Sequence, residues 1–286
     1  MLRIKNIKME LHENENQLLQ KVAKILKVNS KEIIKMEISK KGLDSRNSSN
    51  VFYIYNVDIQ IDQEYLYFDN KNIIYTDDSE YELTKFENIN IRPIIIGNGP
   101  AGMLAGLLLA EANLKPIIIE QGKDVDLRIK DINEFWENGI LNTSSNVQFG
   151  AGGAGTFSDG KLTTGVNDVR KNKLLEELIK AGAPEEIKYL TKAHIGTDIL
   201  IKVVKNINNK IIELGGEIHF ETKFIDFSIE DEKITSITTI SNHKDIKYDV
   251  DYLVLALGHS ARDTFELLYN KKITMKSKPF SVGVRI

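Results

Sequence analysis

At 286 residues, with 28% charged and 42% apolar side chains, the chain is long enough for two domains or one large one, and its composition is that of an ordinary globular protein. A formal charge of −3 gives no general attraction to nucleic acid, and zero cysteines exclude a disulfide framework, a thiolate metal site and a Cys-x-x-Cys redox pair. No run approaches the ~20 apolar residues of a membrane span, and the opening MLRIKNIKME lacks a signal peptide's apolar core, so the expected compartment is the cytoplasm.

Residues 1–88 read as a small α+β domain. Ile7, Met9 and Leu11 alternate as in a half-buried strand, and Leu18, Leu19, Val22, Ala23, Ile25 and Leu26 recur with helical spacing. Ser30 to Glu32 suggests a short capped turn. Ile34, Met36 and Ile38 alternate again, and 51–61 is a long strand with Val57, Ile59 and Ile61 on one face and Asp58, Gln60 and Asp62 on the other. The polar stretch KKGLDSRNSSN, 40–50, is expected to be the hairpin loop between them. Its Lys40, Lys41 and Arg46 suit either a solvated tip or contact with a phosphate or an acidic partner. A short strand at 73–75 and a linker close the domain.

Residues 92–122, RPIIIGNGPAGMLAGLLLAEANLKPIIIEQG, hold a strand, a glycine turn, a helix and a second strand ending in an acid. The turn 97–102 fits G-x-G-x-x-G and follows Ile94-Ile95-Ile96 with no spacer. Gly97 permits the tight exit, Gly99 removes the Cβ that would hold a pyrophosphate off the backbone, and Gly102 lets the helix lie close to the sheet. Pro100 suits the first helical turn, where its missing N–H costs nothing, and the free N–H groups beside it and Ala101 form an anion site. Glu120 ends the second strand about 20 residues on, where a carboxylate reaches a ribose hydroxyl, with Gln121 beside it.

An amphipathic helix follows with Val125, Ile129, Ile132, Phe135 and Trp136, stopped by Gly139. Trp136, the single tryptophan, suits stacking on a ring, but its spacing from Ile129 and Ile132 predicts a core position. Arg128 reads equally as a phosphate or ribose contact and as a surface charge. The stretch 146–161, NVQFGAGGAGTFSDGK, is too rich in glycine to pack by itself. Linkers favour Ser and Lys among their glycines, whereas this loop is anchored by Phe149 and Phe157, so it is expected to lie flat against a planar ring or a diphosphate. Gln148, Gly150, Gly152, Gly153, Gly155 and Thr156 belong to that candidate surface, and Ser158, Asp159 and Lys161 are polar groups at its end.

Helices are expected over 168–181 and from Thr197 to the Gly215-Gly216 stop, with His194 between them as an acid–base candidate or a structural histidine. A strand at 217–220 leads into runs at 224–229, 233–240 and 246–250, separated by short turns. A three-strand meander before the next core strand is not the helical crossover of a plain NAD-binding domain. Then 252–258, YLVLALG, reads as a buried parallel strand whose Ala256 and Gly258 end beside the first glycine turn, and Ser260 with Asp263 reads as a capping box. His259 and Arg262 thereby become candidates for the ligand edge, with a simple turn filler the alternative for His259.

GNGPAG with Glu120, the NVQFGAGGAGTFSDGKL loop, AHIGTD, LALGHSARDTF and KPFSVGVRI together resemble the uncharacterised bacterial FAD-dependent oxidoreductases, or NAD(FAD)-utilising dehydrogenases, of the glutathione-reductase-type superfamily. The resemblance implies an α/β fold: a Rossmann-like FAD-binding domain over 89–286 with a three-stranded meander crossover, preceded by the α+β domain. It implies that Gly97, Gly99 and Gly102 face the FAD pyrophosphate and Glu120 the adenosine ribose. Gly150 to Gly155 would run along the flavin, Phe224 backbone would meet the adenine, and Gly258 with His259 would cover the diphosphate end. Catalytic candidates are Lys161, placed to stabilise a reduced flavin, with His194 and His259.

A small-molecule substrate or electron donor is implied, NAD(P)H among them; with no second nicotinamide-binding βαβ unit read in the chain, the reductant either visits the flavin directly or is not a pyridine nucleotide. Superfamily members end in a further segment that covers the flavin. This chain stops at Arg285-Ile286 before it, so a truncated chain with an incomplete FAD site is expected. Two other readings accompany the oxidoreductase: an RNA-modifying or RNA-binding flavoprotein, suggested by tRNA-modifying superfamily members and the lysine-bearing loop, and a non-catalytic FAD-binding scaffold.

Overall fold

The computed structural model describes residues 1–61, 70–76, 81–87, 89, 91–157, 160–162, 168–279 and 282–283. Ser158, Asp159, Asp62 and most of the final KPFSVGVRI lie outside them. The chain forms two compact units, one from residues 1–82 with 158–203 and one from 83–157 with 204–286. The expected division at residue 88 was linear and assigned 158–203 to the second domain. Those residues group with the first, where Lys41 N–H donates to Tyr189 O and Thr191 N–H to Lys41 O. A backbone pairing between such distant segments leaves no mark on local composition.

In the first unit, β1 (Leu2–Glu10) is followed by α1 (Leu18–Leu26), β2 (Ile33–Asp44), β3 (Phe52–Ile61) and β4 (Ile73–Tyr75), in an antiparallel sheet of order β2-β3-β1-β4. Ile4, Ile7, Met9, Val57 and Ile59 on the sheet pack against Leu18, Val22 and Leu26 of α1, the burial that alternating strands and a helical stripe require. Asp58, on the polar side of that alternation, is buried and held by Arg3 Nε and Nη2 at 2.6 and 2.7 Å.

The basic loop is shorter than expected because β2 runs on to Asp44, with bulges after Ile33 and Ile38. Lys40 and Lys41 therefore lie in the strand. Lys41 Nζ bonds Glu15 and stands 5.0 Å from the Tyr53 ring centre, while Arg46 is paired with Asp44.

In the second unit, β5 (Ile94–Ile96), α2 (Pro100–Glu111) and β6 (Ile117–Ile119) make the expected βαβ unit, followed by α3 (Val125–Asn138). After α4 (Val169–Lys180) in the first unit, α5 (Thr197–Glu213) leads to β7 (Glu217–His219), the meander β8 (Lys223–Glu230), β9 (Lys233–Ser241), β10 (Lys244–Asp249), then β11 (Leu253–Leu255) and α6 (Arg262–Asn270). The parallel sheet has order β11-β5-β6-β7, and the meander forms its own antiparallel sheet. Its tight hairpins place Asp231, Glu232, Asn242 and His243 at positive φ, as two-residue turns between twisted strands demand. Phe224, Phe227 and Ile237 from the meander pack with Ile94, Ile96, Ile119 and Leu268 in one core.

In this unit three local expectations fail. Trp136 is 61% exposed, because the buried stripe of α3 is Val125, Arg128 and Ile132 and does not continue to its last turn. α6 has no capping box: its N-cap is Ala261 without a side-chain bond, since Ser260 Oγ is engaged with Gln148 and His259. β11 is also less buried than expected, as an edge strand with Leu255 half-exposed.

Candidate functional site

A cleft of about 760 Å³ opens at the carboxyl ends of β5, β6 and β11, the position where doubly wound sheets receive ligands. On its floor the glycine turn behaves as its residue types require. Gly97 has φ +101°, and a Cβ on Gly102 would stand 1.9 Å from Gly97 O, so only glycine lets α2 start this close to the strand. Pro100 occupies the first turn of α2, and the N-cap Gly99 supplies no side-chain bond. The helix thus begins without a cap, with Gly99, Pro100 and Ala101 lining the cleft. An uncapped N-terminus offers N–H donors and the positive end of the dipole to an anion.

The second glycine stretch lies directly against the first. A Cβ on Gly153, at φ +66°, would come within 3.0 Å of Gly99 Cα. Gly150, Gly153, Ala154 and Gly155 line the same cleft, and Ala154–Phe157 forms a 3-10 turn.

Glu120 joins the two glycine segments. It is 5% exposed; its Oε2 accepts from Asn98 N–H at 2.8 Å, and its Oε1 accepts from Gly122 N–H at 2.8 Å and Gly150 N–H at 3.0 Å. A carboxylate offers about four acceptor positions, so one remains, on Oε2, for a hydroxyl presented from the cleft.

Arg128 is neither a phosphate contact nor a surface charge. Its side chain is 0% exposed and does not line the cleft; Nε, Nη1 and Nη2 donate to the carbonyls of Asn146, Ala151 and Val147 at 2.9, 2.6 and 3.0 Å. Its guanidinium carbon lies 4.8 Å from the Phe157 ring centre. Burial lowers its pKa to about 10, which leaves it charged at neutral pH. The sequence signal was present: Arg128 falls between Val125 and Ile132 on the buried stripe of α3.

The opposite rim comes from β8, β11 and α6. Gly258 and His259 line the cleft as expected, with Ala256, whose N–H bonds Ile96 O at 2.9 Å. Ser260 Oγ donates to Gln148 Oε1 at 3.1 Å, linking this rim to the glycine loop. Of the other expected ligand residues, Gln121, Gln148 and Phe224 line the cleft, whereas Gly102, Gly152 and Thr156 lie beneath its wall. Sequence reasoning missed Thr222, Lys223, Thr264, Phe265 and Leu268, which line the end beside Phe224. Lys223 Nζ pairs with Asp263 at 2.5 Å.

Arg262 is exposed outside the lining, while Lys161 and His194 lie in the first unit, paired in an antiparallel bridge. Among the described residues no acidic or histidine cluster could hold a metal, and no helix is long and apolar enough to cross a membrane.

Residues 1–60 match the family described as Domain of unknown function (DUF8436). An uncharacterised protein of Clostridium beijerinckii is 44% identical over 290 residues, covering 100% of this chain and 54% of that protein. The chain thus spans about half the length of the curated relative it matches. Among solved structures, THI4 of Thermovibrio ammonificans is 14% identical with a TM-score of 0.43, covering 64% of each chain. Glycine oxidase of Bacillus cereus is 18% identical with a TM-score of 0.40, over 63% of this chain and 58% of that one. These likenesses are loose, and the doubly wound arrangement rests on the strand order and register given above.

Proposed function

We propose that the second unit binds FAD and that the protein is a flavin-dependent oxidoreductase of the bacterial family its motifs resemble, acting on a small molecule. The observation that carries this reading is the pair of glycine segments meeting at Gly99 and Gly153, at the carboxyl ends of β5 and β11, beside the uncapped start of α2. The residues fit a dinucleotide: where a diphosphate would approach, the cradle is built of glycines with only the small Pro100, Ala101 and Ala154 side chains among them, and Glu120 keeps one acceptor position for a ribose hydroxyl.

When bound, FAD supplies hydride or electron transfer. The chain's own residues hold it. The N–H groups at the start of α2 meet the diphosphate charge, and Phe224, Phe265 and Leu268 offer an apolar end to an aromatic base. His259 is the titratable candidate on the rim for meeting a substrate, with Lys161 and His194 carried as candidates from the motif resemblance alone. The electron donor, NAD(P)H or another small reductant, reaches the flavin directly in this reading.

The test is flavin content. Purified protein, both this chain and a form extended to the length of the Clostridium relative, is expected to show flavin absorbance or to acquire it on adding FAD. Failure of both forms to take up FAD sinks the proposal.

A further inference from the structure

The buried cation behind the glycine loop has a task that no ligand contact explains. A loop of this composition has large backbone freedom, and ordering it when a ligand arrives lowers affinity by the entropy lost. Here the ordering is already present. Three carbonyls, from Asn146, Val147 and Ala151, converge on Arg128, and the guanidinium fork satisfies all three. On the same stretch of backbone, Gly150 N–H is fixed by Glu120. Gly150 itself lies tight against the cation, since a Cβ there would stand 2.5 Å from Arg128 Cδ. Cation and carboxylate thus grip one peptide segment, the first through its carbonyls and the second through an N–H.

We propose that Arg128 is a positioning residue that presets the 146–153 loop from behind, so that affinity at the cleft is controlled by a side chain that does not touch the ligand. The fork is the part that matters. A lysine carries the same charge but lacks the planar set of donors that reaches three carbonyls together. The inference rests on the FAD reading only for the identity of the ligand; the presetting belongs to the protein alone.

Hydrogen exchange on flavin-free protein separates the two. The amides of Gly150, Ala151 and Gly152, which bond Glu120, Lys123 and Asn98, are expected to exchange slowly in the wild type. In Arg128→Lys and Arg128→Met they should exchange faster by roughly tenfold or more while core strands β5 and β6 keep their protection. FAD titration of the same proteins should show a dissociation constant raised by about tenfold or more in both variants.

Unprotected loop amides in the flavin-free wild type overturn the proposal without any variant. So does an Arg128→Lys protein whose loop exchange and FAD affinity match the wild type. If the variants lose protection everywhere, Gly150→Ala, which intrudes on Arg128 without removing it, replaces them; unchanged loop exchange there also overturns it. A wild type with a protected loop and no affinity for FAD defeats the functional reading and leaves the presetting supported.

Discussion

Gly99 and Gly153 lie back to back: a Cβ on Gly153 would come within 3.0 Å of both Gly99 Cα and Pro100 Cδ. The contact joins the start of α2 to the second glycine loop, so the two segments form one continuous wall of the cleft. Gly153→Ala meets two obstacles, the backbone contact and a φ of +66° that L side chains rarely adopt. It should lower stability by about 1–2 kcal/mol and weaken FAD binding by roughly tenfold. Gly155→Ala is the control, because nothing lies within 4 Å of its Cβ and its φ is not in the left-handed region. Urea unfolding of the pair and FAD titration of Gly153→Ala against the wild type check this; equal stability of the two variants removes the shared wall.

Gly102→Ala should be the more damaging change. Its Cβ would sit 1.9 Å from Gly97 O and 3.2 Å from Ala256 Cβ, so neither neighbour is a flexible side chain that could give way. Either α2 moves off the sheet or the turn opens, at a cost of about 3 kcal/mol or more. Thermal unfolding measures the loss, and a variant as stable as the wild type would show that the turn is not this tight in solution.

The βαβ unit was legible because its strand, glycine turn, helix and second strand follow one another in the chain, so each glycine's task can be read from its neighbours. The meander was legible for the same reason, its strands being separated by turns of a few residues. For Arg128 the burial was legible from its place between Val125 and Ile132, but its partners were not, because they are main-chain carbonyls, which carry no residue-type signal, 18 to 23 residues away in sequence. Lys41 was misplaced because a polar, glycine-bearing stretch reads as loop, while two bulges let β2 carry it onward and Glu15 stabilises its charge. The end of the cleft at Thr222, Phe265 and Leu268 is assembled from the residue that precedes β8 and the last helix, a juxtaposition that only the tertiary fold supplies.

Trp136 offers an inexpensive check on α3. It is the single tryptophan of the chain and is 61% exposed, on the last turn of that helix. Its fluorescence should be red-shifted, as in water, and strongly quenched by iodide, and Trp136→Ala should change stability by no more than about 0.5 kcal/mol. Blue-shifted emission shielded from iodide would restore the core position that helical spacing suggests, or reveal a partner covering this face.

The Lys41–Glu15–Tyr55 cluster predicts how the first unit responds to pH. Tyr55 OH donates to Glu15 Oε1 at 2.8 Å, and Lys41 Nζ bonds the same oxygen. The hydrogen bond from Lys41 holds the Glu15 carboxyl below its ordinary 4.5 despite some burial. A depressed acid contributes stability above its unfolded value, and that contribution fades as pH falls through the folded one. Lys41 is affected most by burial, which lowers its pKa, but its bonds to Glu15 and Tyr55 outweigh this and raise it. Burial, then the bond to Glu15, pushes Tyr55 up from 10.0 to about 12. Raised values for a lysine and a tyrosine both give stability that is full below their unfolded pKa and lost as pH rises through the folded one. The cluster should therefore stabilise the unit most between about pH 5 and 10 and lose its effect on both sides. Glu15→Gln should cost about 1 kcal/mol on that plateau, a figure kept small because the carboxylate is partly exposed. Urea unfolding of wild type and variant across pH measures the difference, and a gap that stays constant from acid to alkali would show that the three groups are not coupled.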